Sequence, residues 1–93
     1  MYVGSLLITL HLPECRSLKD KRRIVQSILT RLRQKFRVAA SEVDDLSVWS
    51  QAVLGLACVS NSQTHARSIL EGIVDWVAQN WDVDVMDSRI DIF

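Results

Sequence analysis

The feature that most constrains this chain is a change of hydrophobic period at Pro13. Through residues 2–12, Leu6, Ile8, Leu10 and Leu12 fall on one side, while Val3, Ser5, Leu7, Thr9 and His11 fall on the other. Period two over such a run is a β-strand with one committed core face. Pro13 ends it, because proline cannot donate to a ladder. Beyond it, Leu18, Val25, Ile28, Leu29, Leu32 and Phe36 recur at three- and four-residue steps. That spacing predicts an amphipathic helix over residues 18–36. Ser17 is placed to cap the third backbone N–H of this helix, and Asp20 to reach back to the N–H of Ser17.

The same alternation of periods recurs downstream. Residues 37–44 are short, small and charged, as an edge strand should be. A connection holding Trp49 leads to 52–60, which is apolar on both faces like an interior strand. Ser60, Asn61 and Ser62 offer N-caps. Ala66, Ile69, Leu70, Ile73, Val74 and Val77 form the apolar face of a second helix over about 63–79, which Asn80 can end. Gly72 either weakens that helix or permits a close approach. The tail 83–93 reads as a strand whose phase breaks near Val85, where a bulge is expected. The order βαββαβ predicts an α+β, ferredoxin-like sandwich: a four-stranded antiparallel sheet in the order 4-1-3-2, with both helices on one face.

A chain of 93 residues fits a single domain over 1–93. It buries roughly 60–65% of its unfolded surface. No basic leader precedes an apolar run. The longest mainly apolar stretch is far short of the roughly 20 residues of a membrane helix. Two cysteines are too few for a disulfide framework. These features predict a cytoplasmic protein with free thiols and no membrane association.

Charge is strongly segregated. Nine of the eleven Lys and Arg residues lie between Arg16 and Arg37, where Asp20 is the one acid, so this window carries +8. Residues 38–93 hold two bases and nine acids, a net of −7. A formal net charge of zero thus conceals a polarised molecule, and a polyanion is the partner class that reads such a field. On a wheel of about 100° per residue, Lys19, Arg23, Arg33 and Arg37 fall along one flank of the first helix, with Gln26 and Thr30 between them. Arg22 lies near the border of the apolar stripe; Lys21, Arg31 and Lys35 lie toward the other flank. Like charges four residues apart, such as Lys19 with Arg23, oppose helix formation by a few tenths of a kcal/mol, about 0.2–0.5. That tolerated repulsion argues against a merely solvated face.

Three blocks together resemble the YlxP-like family of small bacterial proteins. They are Ser17-Leu18-Lys19-Asp20-Lys21-Arg22 after the first strand, Glu42-Val43-Asp44 with Trp49-Ser50-Gln51-Ala52, and Gly55 leading to Val59-Ser60-Asn61. The resemblance spans essentially the whole chain. It implies a ferredoxin-like domain of unknown function, from a family whose genes tend to neighbour those of translation and ribosome maturation. It brings no catalytic residues to carry over.

The resulting expectation is a non-enzymatic module that contacts RNA or a ribosomal particle through Arg16, Lys19, Arg22, Arg23, Arg33 and Arg37. Trp49 is either an interface anchor or a lid on one end of the core. The alternative is a protein-interaction module, as a homodimer through the open sheet face or with an acidic protein partner. A small acylphosphatase-like hydrolase comes third, since the loop after the first strand has no glycine and no nucleophile–base pair is visible. The central strands offer no aromatic platform for base stacking. His11, Cys15, Cys58 and His65 are the soft-metal candidates. Reading the first and third strands as parallel neighbours gathers them near one end of the sheet, but their spacing matches no zinc motif. No metal or cofactor is expected.

Overall fold

In the computed structural model, which describes all residues from Met1 to Phe93, the elements run β1 (Tyr2–His11), α1 (Leu18–Phe36), β2 (Ala39–Asp44), β3 (Gln51–Ser60), α2 (Gln63–Asn80) and β4 (Asp84–Ile92). The strands form one antiparallel sheet in the order β2-β3-β1-β4, which is the expected 4-1-3-2 order read from the other edge. The architecture is the ferredoxin-like βαββαβ sandwich.

The period-two residues of β1 do what their spacing requires. Leu6, Ile8, Leu10 and Leu12 are fully buried, whereas Leu7 is exposed. From β3, Ala52, Leu54, Leu56 and Cys58 join them, and the helices supply Val25, Ile28, Leu29, Leu32, Ala66, Leu70, Ile73 and Val77. Each large aliphatic side chain buried here contributes about 1.5–3 kcal/mol relative to exposure. Gly4 continues the buried phase of β1 where α2 passes closest. A Cβ at Gly4 would stand 2.9 Å from Leu70 Cδ1 and 3.2 Å from Cys58 Sγ.

Strand β4 departs from even pairing where its phase broke. Thr9 faces Asp87 but Leu10 faces Val85, so Met86 is the extra, solvent-exposed residue of a bulge. Val85, Ile90 and Ile92 pack against the core on either side of it. Strand β2 is a short edge with its own bulge at Val43, between the pairs Glu42–Leu54 and Asp44–Val53.

One expectation about direction is corrected. β1 and β3 are antiparallel, with Gly4 opposite Cys58 and His11 opposite Gln51. A right-handed crossover returns β2 parallel to β1, and the β2–β3 hairpin then reverses the chain. His11 and Cys58 therefore lie at opposite ends of the sheet. His11 Nδ1 meets Asp84, Cys15 Sγ donates to Ser17 O, and Cys58 Sγ donates to Ala66 O. No group of three or more His, Cys, Asp or Glu residues is placed to hold a metal ion. No helix is long and apolar enough to cross a membrane.

Candidate nucleic-acid interface

Helix α1 lies with Val25, Ile28, Leu29 and Leu32 on the sheet and its opposite side in water. At about 100° and 1.5 Å per residue, Lys19, Arg22, Arg23 and Arg33 fall in one outward stripe roughly 21 Å long. Arg16 precedes it and Arg37 extends it past the helix end. All six side chains are exposed. The molecule contains three ion pairs, His11–Asp84, Lys21–Glu42 and Arg89–Asp91, and none involves a member of this stripe. The nine acids of the later segments therefore leave the stripe unneutralised at contact distance.

The other three cations of the basic window are occupied, each in a different way. Lys21 corrects the expectation that it joins the basic surface. It is 1% exposed. Its ammonium donates to Asp45 O and Val48 O, at 2.6 Å each, and stands 2.8 Å from Glu42 Oε2. Oε2 is itself buried and makes no hydrogen bond of ordinary geometry, so the ammonium is what meets its charge. Arg31 lies over two indole rings, 5.6 Å from the centroid of Trp76 and 5.0 Å from that of Trp81. Lys35 stands 5.8 Å from the Phe36 ring and 5.7 Å from that of Trp76. These two cations seal the seam between the helices, where Phe36, Trp76 and Trp81 pack edge to face.

Within the stripe, Arg33 has a second task. Its Nη2 donates to Ala40 O, so the guanidinium also closes part of the free edge of β2. Arg37 caps the helix in the left-handed region, at φ 54° and ψ 49°. Glycine is the usual residue there, and a side chain at such a position costs roughly 1–2 kcal/mol.

The start of α1 is capped from within. Ser17 Oγ accepts from Asp20 N at 3.1 Å. The return bond reaches one residue further back than expected, since Asp20 Oδ2 accepts from Arg16 N at 3.3 Å rather than from Ser17 N. The carboxylate thus occupies the place an anion would take at this helix end.

Trp49 is no lid. It is 48% exposed and does not pack on the core. It sits in the β2–β3 connection beside Leu46 and Val48, which are also exposed. Lys21 fixes that connection from beneath, Gln51 Nε2 donates to Asp45 Oδ2 at 2.6 Å, and Leu12 N donates to Ser50 O at 2.8 Å. The result is an ordered apolar tip near the N-terminal end of the basic stripe. Sequence reasoning singled out Trp49 but missed Leu46 and Val48; two apolar residues flanking Ser47 in a polar connection were the available signal.

Two comparisons bear on this arrangement. Residues 3–90 match the family model described as "Protein of unknown function (DUF503)". A protein of Bacillus subtilis (strain 168) described as "Uncharacterized protein YlxP" is 30% identical over 77 residues, which is 83% of this chain and 84% of that protein. The matched span takes in the basic helix, the Trp49 connection, β2, β3 and most of β1 and β4, and the chain belongs to the DUF503 family.

Proposed function

We propose that this protein is a non-enzymatic binding module whose α1 stripe docks on the phosphate backbone of structured RNA. One observation carries the reading: six exposed cations share one helix surface, and no carboxylate of the same chain pairs with any of them. A solvated helix face normally interleaves acids with bases, because opposite charges four residues apart stabilise it. This face keeps its repulsion. Phosphate contacts from Lys and Arg supply position and affinity without reading sequence, which suits a surface with no groove-reading element. The stripe lies on the helix layer, so the lack of an aromatic on the open face of the central strands does not weigh against it.

The test is fluorescence anisotropy of a labelled RNA hairpin with the full chain at several salt concentrations. Binding should weaken steeply with salt, and Lys19→Ala with Arg23→Ala should flatten the slope by about one unit per lost phosphate contact. Binding that is absent at low salt, or a slope the double variant leaves unchanged, defeats the proposal. The Trp49 tip favours a second reading, an interaction module that anchors a protein partner through an ordered, exposed indole. Trp49→Ala abolishes binding on that reading and leaves the RNA salt slope alone on the first.

A further inference from the structure

Both helices cover one face of the sheet, and the other face has no covering element. The two central strands present no Lys, Arg, Asp or Glu to it; His11, at one end, is the one titratable residue among those of β1 and β3 that alternate with the core set. Among them Leu7 is 45% exposed and Val59 65% exposed. Between Leu7 and Val43 lies a trough of about 610 Å³ over Gly55 and Ala57. Apolar area of this kind, on central strands that carry no Lys, Arg or carboxylate, marks an interaction site.

The trough has an internal symmetry that identifies its occupant. It is centred on the cross-strand row Leu56–Leu6–Ile90. Residues one step either side of that row line it in pairs: Ser5 and Leu7 on β1, Gly55 and Ala57 on β3, Arg89 and Asp91 on β4. A two-fold axis lying along the row, in the plane of the interface, exchanges the members of each pair. Leu7 of one copy then faces Ser5 of the other, so a large residue meets a small one. Arg89 of one copy faces Asp91 of the other, and Val59 faces Val53. Self-complementarity of this form is what an isologous interface requires.

We propose that the open face is a homodimer interface, with two sheets stacked about that axis and both α1 stripes turned outward. Packed sheets tolerate a relative rotation of about 30°, so the rows need not be collinear. Strands of 10, 6, 10 and 9 residues, at about 3.3 Å per residue and about 4.8 Å apart, give a footprint of roughly 550 Å² per copy, or roughly 1,100 Å² in total. That clears the roughly 1,000 Å² a biological interface needs and places the contact at the small end of the range. Within one chain the Arg89–Asp91 pair, at 3.0 Å between Nε and Oδ2, is exposed on both sides. Stacking the copies turns it into a network of four alternating charges.

Sedimentation velocity of the full chain, over a wide concentration range and at low and high salt, tests the proposal. The wild type should reach twice the 10.6 kDa chain mass and keep it at high salt, because the contact is mainly apolar. Leu7→Asp and Arg89→Asp should each give a monomer with an unchanged far-ultraviolet spectrum. Arg89→Asp combined with Asp91→Arg should restore the dimer, since the swap preserves opposed charges. A wild type that stays monomeric throughout overturns the proposal. So does a dimer that both single variants leave intact, and so does one that salt dissolves, which would place the basic stripe of one copy on acids of another. The RNA salt slope of the Leu7→Asp monomer is unaffected in every case, so this inference stands or falls apart from the proposed function.

Discussion

At the scale of single residues, Lys21 is the least expected feature. A lysine is rarely fully buried without a partner, and this one holds two carbonyls and a carboxylate at once. Lys21→Met keeps the length and apolar stem of the side chain but leaves Glu42 and both carbonyls without their donor. We expect a loss of about 3 kcal/mol in urea unfolding, the lower end for breaking a buried pair because Glu42 keeps some water contact. Glu42→Gln should cost less, about 1–2 kcal/mol, since a neutral acceptor remains. Equal costs for the two variants would show that the carbonyls contribute little. Glycine gives a sharper contrast. Gly4→Ala drives a methyl group to 2.9 Å from Leu70 Cδ1 and should cost about 1–3 kcal/mol by overpacking. Gly72→Ala meets no atom within 4 Å and should stabilise α2 by about 0.5–1 kcal/mol. Thermal melts of the pair should move in opposite directions.

At the scale of elements, α1 divides its cations between structure and solvent. Arg31 and Lys35 serve the helix seam, and Lys21 serves the hairpin. Lys19, Arg22 and Arg23 serve nothing within the chain that the structure reveals. Arg31→Gln should therefore cost about 0.5–2 kcal/mol of stability, the range for a cation held on aromatic faces, and leave the RNA salt slope unchanged. Lys19→Ala with Arg23→Ala should do the reverse. Removing two like charges four residues apart stabilises α1 by a few tenths of a kcal/mol, about 0.2–0.5, while binding falls. Opposite signs for stability and binding in one variant distinguish a functional surface from a structural one. This division was partly legible in the sequence. The outward stripe followed from the helical wheel, because exposed positions depend only on the helix's own period. Lys21 lies where the other flank, that of Arg31 and Lys35, borders the apolar stripe, four residues before Val25, yet its charge argues for water. Only the Glu42 carboxylate and the two carbonyls of the β2–β3 hairpin, distant in sequence, make that burial tolerable. Long-range partners of this kind have no local signature. The bulge at Met86 was legible because it shifts the phase of apolar residues along one strand. The antiparallel pairing of β1 with β3 was misread; it follows from tracing the crossover and then the hairpin, not from either strand alone.

At the scale of the whole molecule, the fold separates its charges. Helix α1 packs on the β2 side of the sheet; Glu42, Asp44 and Asp45 lie on or beside β2, with Glu42 taken up by Lys21, while Asp82, Asp84, Asp87 and Asp91 belong to the segment forming the opposite edge. The connection order forces this: a right-handed crossover from β1 to β2 carries the basic segment to one edge, and β4 closes the other. Four of the nine acids of the later segments are thus held at the edge away from α1, and none of the nine pairs with a cation of the stripe. That arrangement is the central claim, and salt dependence of RNA binding tests it most directly. For the wild type, the logarithm of the association constant should fall linearly with the logarithm of salt concentration, with a slope of about −5.4 if all six stripe cations meet phosphates of a duplex. The Lys19→Ala, Arg23→Ala variant should lose roughly two units of that slope. A slope near zero, or one that this variant shares with the wild type, would mean that the unpaired cations of α1 bind no polyanion.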